Sequence, residues 1–294
     1  MARSGDELER EDLDLMVIIP CHNEEATLAE QLDSLTAQEW SGRWAITVVN
    51  NRSTDRTEEI AASYRDRGVR CIEANDGSGV AYARNQGVRH TTSRSVAFCD
   101  GDDVASAGWV AAMGDALALH PLVTGVLDVS TINGPAAASL RPASSSQSLP
   151  HFGAVPFARG NNCGMHRTLW EQLDGYDEHF VGLEDIEFSL RASAAGVTPV
   201  LAAGAEVRYR FRTDRRSVWR QAYYYGRGRA ALAKQARELH IVGPKRTEGL
   251  RSWGWLLLHL PELRSATGRL RLLWVIGNRL GVLHGALEAR TFHV

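Results

Sequence analysis

Ser95-Val96-Ala97-Phe98-Cys99-Asp100-Gly101-Asp102-Asp103 is the stretch on which the reading of this chain turns. It begins as an apolar run of strand length and stops at the carboxylates of Asp100, Asp102 and Asp103. Ionised carboxylates at the end of a buried strand need counter-charge. A hard divalent cation such as Mg²⁺ or Mn²⁺ supplies it, because it takes one or two carboxylates and fills its shell with phosphate oxygens. The same residues also make an ordinary turn, with Gly101 free to take positive φ and an Asp free to cap a helix. Taken alone, the stretch leaves both readings open.

Working outward, the first half alternates strand and helix patterns. Leu15-Met16-Val17-Ile18-Ile19 is a continuous apolar run, followed by a helical pattern over residues 24–38 with Leu28, Leu32 and Leu35 on one face. Trp44-Ala45-Ile46-Thr47-Val48-Val49 reads as a second strand, and Asp55 as the cap of a helix reaching Tyr64. Val69-Arg70-Cys71-Ile72 is a third strand, and residues 79–90 the next helix. Strands apolar on both faces and alternating with helices predict an α/β fold: a mostly parallel sheet sandwiched by helices. Ligands of such sheets bind at the carboxyl ends of the strands. Three polar clusters, at residues 20–24, 50–55 and 100–103, stand at those ends.

Residues 122–129 read as another strand. Residues 133–156, rich in Ala, Ser and Pro, read as a long loop or substrate lid. Helices are expected over 166–173, 184–195 and 217–239, and a strand over 197–203. Trp and Leu recur at helical spacing over 253–286, with Arg264, Arg269, Arg271 and Arg279. The expected organisation is a disordered acidic N-terminus (1–14), one α/β domain (15–240) in two halves (15–130 and 131–240), and a C-terminal helical extension (241–294).

With 294 residues and 44% apolar content the chain can bury a full core. Thirty-three basic against 35 acidic residues leave a net charge of −2, which argues against nucleic acid as the partner. Basic charge is nevertheless concentrated locally, with eight arginines in residues 208–229. Four cysteines in no CxxC pair are read as buried reduced thiols of a cytoplasmic protein. The polar N-terminus lacks the apolar core of a signal peptide, and no apolar stretch reaches membrane-span length.

The motifs in order resemble the family 2 glycosyltransferases of the GT-A fold. They are Val17-Ile18-Ile19-Pro20-Cys21-His22-Asn23-Glu24, Asn50-Asn51-Arg52-Ser53-Thr54-Asp55, Ala83-Arg84-Asn85-Gln86-Gly87 and Asp100-Gly101-Asp102-Asp103. Gly160-Asn161-Asn162, Gly175-Tyr176-Asp177-Glu178 and Gly182-Leu183-Glu184-Asp185-Ile186-Glu187-Phe188 follow. The resemblance covers residues 15–240.

It implies an inverting enzyme that moves a sugar from a UDP-, GDP- or TDP-sugar to a small-molecule, lipid-linked or glycan acceptor. Pro20, Glu24, Asn51 and Asp55 would surround the base. Gly79 would belong to the nucleotide-sugar site, and Arg84 would lie near the diphosphate. Asp100, Asp102 and Asp103 would hold Mn²⁺ or Mg²⁺, with Gly101 keeping the backbone thin there. Asn161 and Asn162 would line the sugar pocket. Asp185, with Glu184 beside it, would be the general base. Many relatives carry a His after the last strand to complete the metal shell. Here Arg208 stands in that region, and a cation cannot ligate a metal; the shell would be finished by water, or Arg208 would clamp phosphate directly.

Residue by residue, plainer roles compete. Asn51 and Asp55 also suit a turn and a helix cap, Arg84 a solvated helix face, and Glu184 and Asp185 a helix N-terminus. A nucleotidyltransferase is an alternative, as is a non-catalytic nucleotide or sugar binder with a degenerate metal site. Asp76-Gly77-Ser78-Gly79 lacks the third glycine of a dinucleotide fingerprint and follows the third strand, which excludes the dehydrogenase reading. The Tyr223-Tyr224-Tyr225 run suits a base stack, a sugar site or helix packing. The C-terminal Trp, Leu and Arg pattern suits a membrane surface at the cytoplasmic face, a helix covering the catalytic domain or a homodimer contact.

Overall fold

In a computed structural model describing residues 13–134, 148–180, 182–242 and 248–290, the continuous apolar runs become the central strands. They are β1 (Leu15–Cys21), β2 (Trp44–Asn50), β3 (Val69–Glu73) and β4 (Ser95–Cys99), joined by helices α1 (Leu28–Thr36), α2 (Thr57–Ser63) and α3 (Val80–Arg89). There follow β5 (Val104–Ala105), α4 (Trp109–Leu117), β6 (Leu122–Asp128) and a short hairpin, β7 (His151–Phe152) with β8 (Val155–Pro156). Next come β9 (Asn162–His166), α5 (Arg167–Gln172), α6 (Glu184–Ala194), β10 (Val200–Arg208) and α7 (Arg215–Glu238). The chain ends with α8 (Glu248–Leu258), a 3₁₀ turn over Leu260–Arg264 and α9 (Ala266–Glu288).

Eight strands form one sheet in the order β3-β2-β1-β4-β9-β6-β10-β5. β1 pairs in parallel with β2 and β4, and β6 with β10, whereas β9 runs antiparallel between β4 and β6. That insertion positions the site. Because β9 runs backwards, its first residue, Asn162, pairs with Cys99, the last of β4. The Gly160-Asn161 turn is thereby brought to the same sheet edge as Asp100. Both expected halves contribute strands to this sheet. One face packs under α1, α2 and α4, with Trp109 and Met113 fully buried; the other packs under α3, α5 and α6 around Phe98 and Phe188.

Several expectations are corrected in detail. The helix read from residue 24 begins at Leu28, because the Glu24 N–H is held by Thr57 Oγ1 and residues 24–27 form turns. β9 was not expected; Asn-Cys-Gly-Met-His carries no β-branched or aromatic residue, so nothing in its composition marks a strand. The loop expected over 133–156 contains the β7–β8 hairpin, and its residues 135–147 lie outside the described residues. β10 runs on to Arg208, past a register shift between Ala202 and Glu206. Residues 1–12 of the expected acidic tail lie outside the described residues, but Leu13 is buried and the Asp14 N–H bonds the Arg43 carbonyl. The four cysteines are free.

α7 starts at an Asp214 cap, whose carboxylate accepts the Ser217 N–H at 2.9 Å. It packs along α9 through glycines: a Cβ at Gly226 would lie 2.1 Å from the Asn278 carbonyl, and one at Gly281 2.1 Å from the Tyr223 carbonyl. Only glycine lets the two backbones approach this closely. No described helix is long and apolar enough to cross a membrane.

Candidate active site

Arg84 joins the two acidic motifs. Its guanidinium, 3% exposed, donates to Asp100 Oδ1 at 3.1 Å and to Glu184 Oε1 at 2.5 Å. Its central carbon stands 5.9 Å from the Phe98 ring and 5.7 Å from that of Tyr176. Burial alone would weaken its hold on the proton, but the carboxylates of Asp100 and Glu184 raise its pKa above the ordinary value. Among the described residues, the Arg84 Nε proton has no acceptor. Arg84 therefore bridges the strand-end carboxylates and the helix-start carboxylates, rather than facing outward as a free phosphate ligand.

Asp100, Asp102 and Asp103 each present an oxygen within 4.8 Å of the other two. Both Asp103 oxygens accept hydrogen bonds, from the Arg210 N–H at 2.9 Å and from Asn161 Nδ2 at 2.8 Å. Burial and the neighbouring Asp102 and Asp100 push the Asp103 carboxyl well up. Burial and Asp100 raise Asp102 to about 6, against the opposing charges of Arg212 and Arg210. Glu24 belongs to the same cluster: burial and Asp102 raise it to about 8. Gly101 is needed for closeness rather than for positive φ, since it is not among the left-handed residues and a Cβ there would lie 2.9 Å from Cys21 Sγ.

Asp185 lies in the first turn of α6, after Gly182 (φ 65°) and Leu183 (φ 61°), both left-handed. A left-handed leucine costs about 1–3 kcal/mol, a strain the surrounding packing must hold. Asp185 Oδ2 accepts the Gly160 N–H and Oδ1 its neighbour Ile186's N–H, each at 2.8 Å. Burial and Glu184 raise Asp185 to about 6, while those N–H groups and Arg84 pull it back.

Other expected ligands are committed to structure. Asn51 is buried; its amide donates to the Ala74 and Gly77 carbonyls and accepts the Gly79 N–H at 3.0 Å. Both N–H groups of that amide are thereby engaged, and its oxygen already accepts one hydrogen bond. Asn162 is fully buried, donating to the Val126 and Ala205 carbonyls and accepting from Trp109 Nε1, so it ties β6, β9 and β10 together rather than lining a sugar pocket. Asp55 accepts the Glu25 and Thr57 N–H groups, bracing the first two strand-end loops against each other. Pro20 falls beyond the last β1–β4 pair, so its missing N–H interrupts no ladder there. Arg208 ends β10 opposite Val104 and Asp128. Besides Arg84, the cations acting on the acidic cluster are Arg210, whose Nε donates to the Asp102 carbonyl at 2.9 Å, and Arg212. The sequence offered arginines at 208, 210 and 212 with no signal to choose among them.

One further residue was missed. Arg159, buried, donates to the Gly125 carbonyl and feels the Asp185 charge. Of the three consecutive tyrosines, Tyr223 bonds His284 and Tyr225 packs on Trp274, both on α9, whereas Tyr224 lies over Gly182. Burial and Glu184 raise the Tyr224 phenol, opposed by a hydrogen bond from the Gly182 backbone.

The family model for Glycosyl transferase family 2 matches residues 16–173, more than half the chain. The chain belongs to glycosyl transferase family 2. Among curated relatives, it is 27% identical over 101 residues to the UDP-Glc:alpha-D-GlcNAc-diphosphoundecaprenol beta-1,3-glucosyltransferase WfgD of Escherichia coli, covering 34% of this chain and 38% of that one. It is 24% identical over 192 residues to the glycosyltransferase AglE of Haloferax volcanii, 63% of each chain. The chain thus spans less than two thirds of the length of these curated relatives. In fold it resembles the mannosyltransferase PcManGT of Pyrobaculum calidifontis, solved with GDP-Man and Mn²⁺ (TM-score 0.59, 19% identity, 94% of this chain and 88% of that one). It also resembles S. aureus TarS 1–349 in complex with UDP-GlcNAc (TM-score 0.55, 15% identity, 95% and 93%). This is the GT-A arrangement.

Proposed function

We propose that the chain transfers a sugar from a nucleoside diphosphate sugar to an acceptor hydroxyl, with inversion at the anomeric carbon and Asp185 as general base. The observation that carries this reading is the Arg84 bridge, which sets Asp100 and Glu184 on two sides of one guanidinium. The metal-type cluster and the helix start that carries the candidate base are therefore tied together through one side chain.

A divalent cation fits the residues present. Three oxygen donors lie within 4.8 Å of one another, and their mutual repulsion and burial raise Asp102 and Asp103, a strain that a cation relieves. Asp102 and Asp100 would hold it; both Asp103 oxygens are already engaged. When bound, such an ion neutralises charge developing on the departing diphosphate. The chain's own residues do the rest. The acceptor oxygen forms its bond to the anomeric carbon as the bond to the diphosphate oxygen breaks, and the acceptor proton passes to Asp185. The two N–H groups on Asp185 fix its orientation, and its raised affinity for protons suits that role near neutrality. Arg212 is exposed near Glu24 and Asp102 and supplies positive charge where a diphosphate enters.

Donor hydrolysis and transfer, assayed across UDP-, GDP- and TDP-sugars with Mn²⁺ or Mg²⁺, test the reading. Turnover of one donor class supports it. Nucleotide binding without turnover of any donor would instead favour a non-catalytic binder.

The cluster also predicts a pH signature. Glu24 and Asp102 have ordinary values of 4.5 and 3.8 but titrate at about 8 and about 6 in the folded chain. Between those limits the folded state holds more protons than the unfolded one, so stability falls as pH rises across that window. Mn²⁺ binds the deprotonated cluster. It should therefore raise Tm more at pH 8 than at pH 5 in differential scanning fluorimetry; a shift as large at pH 5 contradicts the assignment.

A further inference from the structure

We infer that the C-terminal helices dock this chain onto an anionic lipid surface, lying on the bilayer without crossing it. Of the 11 large apolar side chains exposed among the described residues, eight fall between residues 257 and 287. Four of them, Ile276, Leu280, Leu283 and Leu287, recur at spacings of four, three and four on α9, 36–79% exposed. At 100° per residue they form a single stripe. The opposite side of α9, carrying Gly277, Gly281 and Gly285, is the side packed on α7. The stripe is therefore an outer face, and four further exposed leucines of residues 257–263 lie on the segment that packs beside α9.

Charge selects the occupant. Residues 248–290 contain six arginines, no lysine and three glutamates, although the whole chain has a net charge of −2. Two of those glutamates are already paired, Glu262 with Arg271 and Glu288 with Arg227. Arg251, Arg264, Arg269 and Arg290 are exposed and form no ion pair with a described residue. Helical periodicity places Arg269, seven residues before Ile276, on the stripe's own face, and Arg290 follows just past the end of α9, two residues after Glu288 and near the stripe's other end. An apolar stripe bracketed by unpaired cations suits acyl chains flanked by anionic headgroups. A second copy of the same face would set arginine against arginine.

The test is co-sedimentation of the full chain with vesicles of phosphatidylcholine alone, or with 30 mol% (about one third) phosphatidylglycerol. It needs no donor sugar, so its result is independent of the transfer chemistry. Binding to the anionic vesicles that weakens with salt is expected. Arg269→Gln/Arg290→Gln should weaken it on the order of thirtyfold, and Leu280→Glu/Leu283→Glu by at least about tenfold. All four positions are on the surface, and unchanged circular dichroism of each variant verifies its fold. Absence of vesicle binding overturns the inference, as does equal binding to neutral vesicles. So does a solution dimer that Leu280→Glu/Leu283→Glu dissociates while no lipid is bound, which would make the stripe a contact between copies.

Discussion

Asp185→Asn is expected to lower sugar transfer on the order of 10³-fold while leaving nucleoside diphosphate affinity within about twofold. Asparagine keeps the shape of the carboxylate and can still accept one of the N–H groups from Gly160 and Ile186. It cannot take the acceptor's proton. Because the missing interaction forms only as the acceptor oxygen attacks, the loss should appear in kcat rather than in donor binding. The wild-type rate should rise tenfold per pH unit below about pH 6 and level off above it, since the base must be unprotonated to act. In the variant that limb should disappear. Steady-state kinetics from pH 4.5 to 8 measure both; near wild-type transfer by the variant excludes Asp185 as the base.

Arg84→Met is expected to destabilise the fold by about 3–5 kcal/mol, a large fraction of a domain's total stability. Methionine nearly fills the volume but removes the guanidinium that Asp100 and the buried Glu184 share. Glu184 is then left buried with its charge uncompensated, or must take up a proton. Adding Glu184→Gln to Arg84→Met should recover part of the loss, because the second change removes the stranded charge. Urea denaturation of the two single variants and the double variant gives the coupling. A single-variant cost below about 1 kcal/mol would mean the bridge contributes little.

Much of the fold is legible because β1, β2, β4 and β6 are continuous apolar runs between helical patterns, a signature of strands covered on both faces. β9 is not, since its role comes from the neighbours it separates rather than from its own propensity. The site divides the same way. Asp100, Asp102, Glu184 and Asp185 stand out because several carboxylates at element ends are costly without a purpose. Asn51 and Asn162 are equally prominent in sequence, yet their amides bond backbone groups and, for Asn162, the Trp109 indole, and an asparagine that serves the fold looks identical to one that serves a ligand. Arg84 reads as a helix-face cation until its burial shows which acids it joins. Tyr224 could not be separated from its two neighbours, because facing Gly182 rather than α9 depends on how α7 is rotated.

Isothermal titration of UDP and GDP into the wild-type chain and Asp102→Asn, with and without Mn²⁺, tests most directly whether the acidic cluster is a metal and diphosphate site. One nucleotide should bind wild type with an affinity that depends on Mn²⁺, and the Asp102→Asn variant should lose most of that dependence while remaining folded. Binding of neither nucleotide in the presence of Mn²⁺, or the same Mn²⁺ dependence in Asp102→Asn, would contradict the account.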